Sequence, residues 1–373
     1  MFHIVLTGGP SAGKSQSLTR IFKVLTEKRG WTVLVVPETA TECILNGIRP
    51  GKEISMLDFQ EIILDKQLAK DALYERVSKF FNPDKTVIIY DRGIMDQLAY
   101  CSKKDLERML KERGLSISEV MSKYDGVIHM ITAADGAVEF YEWNGSGKDC
   151  ANAARSETPE EAIVADRKTM NAWVGHPHLR VVDNSTDFST KINRVIDEIF
   201  NILGEPAPKE IERKFLIKKP SAEVLNSLEF SSKNNIIQTY LKTTIPGTER
   251  RVRQRGNSED GYNFYYTEKT DIKNGERQEL EYKITRKEYT NYLIEADTNL
   301  HQISKERFCF LYKNQYFELD IYPFSEEYAI LEIELSNLSD NVEIPPFIEV
   351  VKEVTDDKDY RNNSLAQNLK FKI

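Results

Sequence analysis

Several features that mark particular protein classes are scarce or absent in this sequence of 373 residues. Its four cysteines, Cys43, Cys101, Cys150 and Cys309, are widely separated. This spacing excludes a CxxC metal pair and a disulfide framework, and it favours a reducing compartment. The first apolar run, residues 2–6, is too short for a signal sequence, and no run approaches the length of a membrane-spanning helix. We therefore expect a soluble, cytoplasmic protein without a transmembrane segment.

An excess of basic residues is also missing. The chain has 51 lysines and arginines against 59 aspartates and glutamates, which gives a formal net charge of −8. Nucleic-acid-binding domains usually carry the opposite balance, so we expect no nucleic-acid partner. The length exceeds the usual range of a single domain, and two domains are therefore expected.

What the sequence does contain, near its start, is a phosphate-binding motif in the required context. An apolar run leads into Gly8-Gly-Pro-Ser-Ala-Gly-Lys-Ser15, and apolar residues at helical spacing follow. Backbone N–H groups of such a loop turn toward phosphate oxygens, the lysine reaches the same oxygens, and the serine can ligate magnesium. The motif predicts binding of ATP or GTP with Mg²⁺. The predicted nucleotide-binding residues are Gly8, Gly9, Ser11, Ala12, Gly13, Lys14, Ser15 and Gln16.

Two acidic residues follow apolar segments of the same region. Glu38 ends a predicted strand at residues 31–37, where doubly wound folds place ligands. It is a candidate base or metal partner, and the alternative is the polar start of a loop. Asp91 ends the apolar run of residues 85–90, the usual position of an acid that orients magnesium, and Arg92 after it is equally suited to a structural ion pair.

Two further predicted strands, residues 124–131 and 179–183, complete an α/β P-loop NTPase domain with a parallel sheet and helices on both faces. The polar stretch between them, residues 133–175, predicts a partly helical lid. Arg155 and Arg167 in this stretch are candidates to cover the transferring phosphate, with a surface role as the alternative for each. The catalytic candidates of the domain are Lys14, Glu38, Asp91 and Arg155.

In the second half of the chain, charged residues alternate with apolar ones at the period of a β-strand. The first such segment places Glu210, Glu212 and Lys214 on one side. Three ionic groups in a row are poorly placed unless that side faces water, a metal or a charged ligand. The same alternation recurs at the basic residues Arg251, Arg253, Arg255, Lys269, Lys305 and Arg307 and at the acidic residues Glu279, Glu281, Glu318, Asp320, Glu332 and Glu334.

Each of these strands alone is most simply a surface strand with a solvated face. The set as a whole favours one converging site, because basic side chains neutralise phosphate oxygens and paired carboxylates hold divalent metals. We therefore predict an α+β domain with an antiparallel eight-stranded β-tunnel and a charged lumen. The predicted domains are residues 1–203, a proline-containing linker at 204–209, and the tunnel at 210–373.

The pattern Glu210-x-Glu212-x-Lys214, followed by the arginine strand and the later Glu-x-Glu strands, resembles the CYTH, or triphosphate tunnel metalloenzyme, superfamily. The resemblance implies that Mg²⁺ or Mn²⁺ is held by Glu210, Glu212 and late acids such as Glu332 and Glu334. It also implies a triphosphate or polyphosphate held by the basic residues, with Lys214 as a catalytic candidate. Residues 1–203 resemble the AAA_28 group of P-loop proteins, which is similar to the ribosylnicotinamide kinase part of bacterial NadR.

The pairing of these two domains resembles the TRPL translocation defect family, whose animal members are implied to bind GTP and phosphoinositide-type lipids in membrane-protein trafficking. Two main hypotheses follow. In the first, both domains are enzymes that act on phosphoanhydride bonds. In the second, the protein is a non-enzymatic switch in which nucleotide state controls binding of a phospholipid headgroup. A third, adenylate cyclase activity, rests on analogy with barrel folds alone.

Overall fold

The computed structural model describes residues 1–141, 157–205, 211–228, 231–271, 277–335 and 340–372. The chain divides into two compact units, Met1–Leu203 and Gly204–Ile373. Within the described ranges, no helix combines the length and the apolar composition that crossing a membrane requires. Three cysteines of these ranges, Cys43, Cys101 and Cys309, are free thiols.

The first unit contains a parallel sheet formed by β1 (Phe2–Gly8), β2 (Thr32–Val36), β3 (Thr86–Asp91), β4 (Gly126–Met130) and β5 (Leu179–Val182). The strand order is β2-β3-β1-β4-β5. In β1, β3 and β4, successive residues are buried without alternation, as expected of strands that are covered on both faces. The prediction of a parallel α/β sheet is confirmed.

The helices of the first unit are α1 (Lys14–Lys23), α2 (Thr39–Leu45), α3 (Met56–Ser78), α4 (Lys103–Glu112), α5 (Ile117–Met121), α6 (Pro159–Asn171) and α7 (Phe188–Leu203). Shorter helical turns lie at Val24–Lys28, Pro83–Lys85, Ile94–Ala99 and Val138–Phe140. Helix α6 begins at a capping box in which Thr158 and Glu161 satisfy each other's backbone N–H groups. Helix α7 packs on the sheet through a stripe at helical spacing that includes Ile192, Val195 and Ile199.

The second unit has nine antiparallel strands, one more than predicted. They are β6 (Glu212–Lys218), β7 (Ser232–Leu241), β8 (Thr248–Asn257), β9 (Gly261–Asp271), β10 (Arg277–Ile284), β11 (Ile303–Tyr312), β12 (Gln315–Ile321), β13 (Tyr328–Glu334) and β14 (Val350–Glu353). Their order is β10-β9-β8-β7-β11-β12-β13-β6-β14. The additional strand, β14, is short and exposed at every position, so it lacks the alternation that identified the others.

Three short helices, α8 (Ala222–Asn226), α9 (Arg286–Tyr292) and α10 (Asn362–Asn368), complete the second unit with 3-10 turns at Leu293–Glu295 and Lys358–Tyr360. The register of the sheet separates apolar from charged side chains. One face carries an apolar cluster that includes Phe215, Phe317 and Leu331. The opposite face, which we call the charged face, carries Glu212, Lys214, Arg251, Arg253, Arg255, Lys269, Glu281, Lys305, Arg307, Glu318, Asp320, Glu332 and Glu334.

The sheet curls strongly around the charged face. Arg255 on β8 and Glu318 on β12 are separated by the two strands β7 and β11. In a flat sheet this separation is roughly 14 Å, from three strand spacings. The guanidinium of Arg255 nevertheless lies 4.0 Å from the carboxylate of Glu318. The antiparallel tunnel fold is therefore confirmed, although the strand order of the described residues contains no pairing between the outer strands β10 and β14.

Candidate functional site

The predicted phosphate loop, residues 8–15, connects β1 to α1 at the carboxyl end of the parallel sheet. Gly8 and Gly13 have φ angles of 144° and 90°, which side chains rarely allow. A Cβ at Gly8 would lie 2.1 Å from the carbonyl oxygen of Met130. Gly13 is the N-cap of α1, so the first N–H groups of this helix have no intrahelical acceptor and can bind an anion.

Lys14 of this loop and Asp91 at the end of β3 are close enough for their charges to interact. The ammonium of Lys14 donates to the carbonyl oxygens of Gly8 at 2.9 Å and Gly9 at 3.2 Å. Burial, and then the charge of Arg92, lowers the pKa of Lys14 to about 8. Burial raises the pKa of Asp91, and its buried Oδ1 has no hydrogen-bond partner. A carboxylate oxygen in this state fits a magnesium ion, and the exposed Ser15 at the start of α1 fits as a second ligand.

Glu38 pairs with Arg92, the residue that follows Asp91. The Nε of Arg92 donates to Oε1 of Glu38 at 2.7 Å, and Thr41 donates to Oε2 at 2.8 Å. Burial favours the protonated acid, but the charges of Arg92 and Lys14 outweigh it and the pKa of Glu38 is lowered. Arg92 has a positive φ of 69°, which a non-glycine residue adopts only under constraint. Its buried Nη1 has no hydrogen-bond partner, so it retains a donor for a ligand.

Side chains distant in sequence hold the phosphate loop in shape. The N–H of Gly9 donates to Oδ1 of Asp166 on α6 at 2.5 Å, and Thr132 donates to the carbonyl oxygen of Pro10 at 2.5 Å. The fully buried His129 contacts the same Oδ1 at 3.1 Å. Burial opposes ionisation of Asp166, but His129 and the N–H donors outweigh it and lower its pKa. The sequence analysis did not identify Asp166, Thr132 and His129, because no motif or periodic pattern marks them.

Lys191 on α7 supports the loop from a third direction. Its ammonium donates to the carbonyl oxygen of Ile131 at 2.7 Å and to Oδ1 of Asn184 at 2.6 Å, and Ala12 accepts at 3.4 Å. Burial lowers the pKa of Lys191 to about 8. A buried lysine that binds carbonyl oxygens fixes backbone positions around the loop. Lys191, held by Asn184, thus helps to fix the phosphate loop.

A pocket lies beside Arg92, at the carboxyl ends of β2 and β3. Thr39, Gln67, Asp71 and Tyr124 contribute polar groups to its lining. Burial raises the pKa of Asp71 although Lys123 lies against it. Concave sites with a few convergent polar groups are the usual form of small-molecule sites. This pocket has such a lining, but its free space is only about that of one water molecule.

In the second unit, the guanidinium of Arg307 occupies the centre of the charged face. Its Nε donates to Asp320 at 2.6 Å, its Nη2 donates to Glu332 at 2.8 Å, and its Nη1 donates to Glu318. Burial acts to lower the pKa of Arg307, but the carboxylates, led by Asp320, outweigh it and raise that pKa. One cation thus contacts three acids inside the curled sheet.

Two lysines of the charged face, Lys214 and Lys305, are also paired with acids. Lys214 lies 2.9 Å from a carboxylate oxygen of Glu332 and 3.4 Å from one of Glu212. Burial opposes these charges, yet the two acids raise the pKa of Lys214. Burial likewise opposes ionisation of Glu332, but Lys214 and Arg307 lower its pKa. Lys305 contacts Asp320, so Lys214 and Lys305 are both held by acids that the alternation had singled out.

A row of three arginines on β8, which we call the arginine row, has longer contacts with acids. Arg253 is 3.9 Å from Glu281, and Arg251 is 3.9 Å from Glu249, an acid that sequence analysis did not select. Burial lowers the pKa of Arg253, and Arg251, Arg307 and Arg255 act in the same direction against the charge of Glu281. Its Nε is buried without a hydrogen-bond partner. Together with Arg307, the arginine row brings together four guanidinium groups that repel one another. Such a group of cations is suited to binding a polyanion.

The predicted metal ligands lie in register without forming a ready metal group. Glu212 pairs with Glu334 across β6 and β13, and Glu332 pairs with Glu318 across β13 and β12. Their oxygens are the donors that Mg²⁺ and Mn²⁺ prefer. In the part of the chain that the structure describes, however, no three histidine, cysteine or acidic residues are grouped to hold a metal ion. Glu318 and Glu332 instead contact Arg307.

The remaining predicted site residues have separate outcomes. Glu281 accepts a hydrogen bond from Thr267 at 2.6 Å. Lys269 is half-buried and lies opposite Glu249 in the strand register. Glu210 and Arg155 lie outside the described residues, and of Glu279 only the backbone is described, as part of β10.

Two family models match the chain. One described as an AAA domain, AAA_28, matches residues 3–191, slightly more than half of the 373 residues. The other, described as a CYTH domain, matches residues 208–353. The matches support the predicted order of the two domains, but no homologue supports the resemblance to the TRPL translocation defect family.

Several solved structures are similar to part of the chain. The inorganic triphosphatase NE1496 is 27% identical, with 43% of this chain and 95% of that chain covered and a TM-score of 0.31. The PH1012 protein from Pyrococcus horikoshii OT3 is 22% identical, with 35% and 80% covered and a TM-score of 0.25. A conserved hypothetical protein from Pyrococcus furiosus is 20% identical, with 34% and 78% covered and a TM-score of 0.25. No curated protein matches the chain.

Proposed function

Because the chain belongs to the AAA_28 family, we propose that its first unit binds a nucleoside triphosphate, ATP or GTP, and hydrolyses it or transfers its γ-phosphoryl group. The phosphate loop and the start of α1 supply N–H donors for the phosphates. Lys14 would exchange the carbonyl oxygens of Gly8 and Gly9 for phosphate oxygens. Asp91 and Ser15 would hold Mg²⁺, which neutralises charge that develops on the transferred group.

If the reaction is a transfer, the acceptor would bind beside Arg92, and the small pocket there would have to widen to admit it. Arg92 would direct its Nη1, which has no hydrogen-bond partner and lies 3.9 Å from Asp96, toward the γ-phosphate, while Glu38 fixes the guanidinium from the other side. An ionised Glu38 near this position is also able to accept a proton from an acceptor hydroxyl. A water molecule in the same pocket would make the reaction a hydrolysis.

The second unit would bind a triphosphate or polyphosphate and hydrolyse it with Mg²⁺ or Mn²⁺. The observation that carries this proposal is the convergence of Arg251, Arg253, Arg255 and Arg307, whose mutual repulsion a polyanion would relieve. Lys305 and Lys269 would bind further phosphate oxygens, and Lys214 would bind the phosphoryl group nearest the acids. A bound metal supplies Lewis acidity and an activated water.

Arg307 would exchange its carboxylates for phosphate oxygens when substrate binds. This exchange would release Glu318 and Glu332 to act as metal ligands, together with Glu212, Glu334 and the predicted ligands Glu210, Glu279, Glu281 and Asp320. It gives a physical reason for the absence of a preassembled metal group among the described residues. Substrate and metal would then bind cooperatively, since each binds groups that the other sets free.

A non-enzymatic switch is the second candidate, because the arginine row suits a phosphoinositide headgroup as well as a triphosphate. In this function the nucleotide state of the first unit would control headgroup binding during membrane-protein trafficking. A cytoplasmic location is part of both proposals, and the free thiols of Cys43, Cys101 and Cys309 support it.

The test is phosphate release from ATP, GTP and tripolyphosphate with Mg²⁺ or Mn²⁺. We expect Lys14→Ala to lose release from the nucleotides and to retain release from tripolyphosphate. Arg253→Met should show the opposite loss, whereas the exposed Lys313→Ala should change neither. Absence of release with every substrate, or release that survives Lys14→Ala and Arg253→Met combined, would contradict the enzymatic proposal. Nucleotide-dependent binding to phosphoinositide vesicles without release would support the switch.

A further inference from the structure

A partly exposed aromatic ring lies against the phosphate loop. Phe188, the first residue of α7, is 44% exposed. Its ring occupies the space beside Gly13, so that a Cβ on this glycine would lie 2.5 Å from Cε2 of the ring. Gly13 is the N-cap of α1, whose first N–H groups are the proposed donors to the phosphates. The ring is therefore in contact with the backbone that would hold the phosphates.

Polar contacts fix the segment that carries this ring. Oδ1 of Asp187 accepts hydrogen bonds from the N–H groups of Ser189 at 2.9 Å and Thr190 at 3.1 Å, which defines the start of α7. Arg20 on α1 donates to Oγ of Ser189 at 3.0 Å and to Oδ1 of Asn193 at 2.6 Å. The start of α7 is thus bound to the helix that begins at the phosphate loop.

The surroundings of the ring in the sequence are polar. The other residues of the stretch 185–190 are serine, threonine and aspartate, and the whole stretch is exposed. A single exposed apolar side chain is common on protein surfaces and indicates nothing by itself. Here the ring lies beside a predicted ligand site, where covering its apolar surface would contribute to binding.

The part of a nucleotide that fits this position is its base. The phosphates would lie at the start of α1, and a single ribose separates them from the base. The base must therefore lie close to the phosphate loop, where Phe188 offers an aromatic surface. Bases stack on aromatic side chains, and one such contact commonly strengthens binding about tenfold.

The polar side chains near the ring already have partners within the chain. Asp183 accepts a hydrogen bond from Arg194 at 2.7 Å. Asn184 donates to two backbone carbonyl oxygens and accepts from Lys191 at 2.6 Å. Both carboxylate oxygens of Asp187 accept hydrogen bonds at the start of α7. A hydrogen bond from one of these side chains to the edge of a base would replace an existing one, whereas stacking displaces only water.

We propose that the base of the bound nucleotide stacks on Phe188, and that residues 183–188 recognise the face of the base and not its edge. This recognition rests on the proposed nucleotide binding by the first unit, which it makes more specific. Stacking tolerates any base, because every base has a π-face. The segment therefore favours neither ATP nor GTP.

The experiment measures the binding of ADP, GDP and ribose 5-diphosphate, each with Mg²⁺, to the full chain by calorimetry. Ribose 5-diphosphate has the same sugar and phosphates but no base, and none of the three is a triphosphate that the chain would turn over. Arg253→Met is present throughout to weaken phosphate binding by the second unit. We expect ADP and GDP to bind about tenfold more tightly than ribose 5-diphosphate, and to differ from each other by less than about threefold.

The outcomes separate this proposal from the one on which it rests. If none of the three ligands binds, the proposed nucleotide binding fails, and stacking on Phe188 fails with it. Equal binding of all three would overturn the stacking and leave the proposed nucleotide binding intact. A larger difference between ADP and GDP would overturn recognition by the face alone.

Two variants separate stacking from a structural role of the ring. Phe188→Ala should weaken the binding of ADP and GDP about tenfold and leave that of ribose 5-diphosphate unchanged. Phe188→Trp keeps a ring, so it should retain the affinities, and its added fluorescence should be quenched by ADP and GDP only. The control is Phe22→Ala, which removes a ring that is 46% exposed on α1 and should change no affinity.

An equal loss for all three ligands in Phe188→Ala would show a structural role and overturn the proposal. If this variant fails to fold, the comparison of ADP with ribose 5-diphosphate in the chain that retains Phe188 decides.

Discussion

At the phosphate loop, burial opposes ionisation of Lys14 and of the neighbouring Asp91, whereas at the centre of the charged face ion pairs favour ionisation. The pKa of Lys14 is lowered to about 8 and that of Asp91 is raised, mainly because burial outweighs their neighbours. For Lys214 and Glu332 the neighbours outweigh burial, so the pKa of the lysine is raised and that of the acid is lowered. Burial thus disfavours the charges of Lys14 and Asp91, whereas Lys214, Glu332 and Arg307 already stabilise one another. Arg253 of the arginine row is the exception on the charged face, because burial and the neighbouring arginines lower its pKa.

This difference separates two ways of building an anion site. The loop binds chiefly through backbone N–H groups, which need no counter-ion when the ligand is absent. The charged face uses side chains, and its buried cations require acids nearby to offset their desolvation. Removing one charge from the face therefore leaves partners unpaired, while removing one from the loop does not.

The largest expected effect is that of Arg307→Met on the stability of the second unit. The substitution leaves Glu318, Asp320 and Glu332 without their shared cation, and losing one partner of a buried ion pair costs about 3–5 kcal/mol. Chemical denaturation of the full chain, followed by a probe in each unit, measures this cost. Lys313→Ala removes an exposed pair with Glu343 and should cost less than about 1 kcal/mol. Similar costs for the two variants would show that the buried network is not stabilising.

The second prediction concerns activity instead of stability. Lys14→Ala should lower kcat/KM for the nucleoside triphosphate by about 10²–10³-fold, the usual cost of losing one oriented electrostatic donor. The free energy of unfolding should change by less than about 1 kcal/mol, because no buried acid depends on this lysine alone. The control is Lys23→Ala, an exposed position on the same helix. A stability loss as large as that of Arg307→Met would remove the contrast between the two sites.

The pH profiles of the two activities should differ. Lys14 is protonated below its lowered pKa of about 8 and loses its charge as the pH rises through that value. We expect kcat/KM for the nucleotide to fall about tenfold per pH unit above this point. The raised pKa of Lys214 predicts no decline of tripolyphosphate hydrolysis at the same pH. The measurement uses Arg253→Met for the nucleotide and Lys14→Ala for tripolyphosphate, and a shared break near pH 8 would contradict the assignment.

The smallest expected effect belongs to the support of the loop. Asp166→Ala removes the acceptor of the Gly9 N–H, and a hydrogen bond to a charged group contributes about 1.5–3 kcal/mol. Only part of this free energy contributes to nucleotide binding. We therefore expect the KM for the nucleotide to rise about tenfold with kcat little changed. Asp166→Asn keeps an acceptor and should rescue most of the loss, and the exposed Lys168→Ala serves as the control. An unchanged KM in Asp166→Ala would exclude the positioning role.

Sequence reasoning identified those parts of the two sites that are local in the chain. The glycine and lysine spacing of residues 8–15 predicted a loop whose φ angles and N-cap the structure contains. The alternation at Arg251, Arg253 and Arg255 predicted a strand with one charged face. Strand β14 carries no such pattern and was not predicted. The sequence could not decide whether Arg92 forms a structural ion pair. In the structure it pairs with Glu38.

The sequence by itself determined which side chains of one segment share a face, because the strand and helix periods follow from covalent geometry. It also determined the phosphate loop, since glycine spacing constrains the backbone locally. Only the tertiary structure decided that Arg307 contacts acids from two other strands, that Asp166 reaches Gly9 from a separate helix, and that Phe188 lies against the phosphate loop. These contacts join distant parts of the chain, and they depend on sheet curvature and packing that no local period encodes.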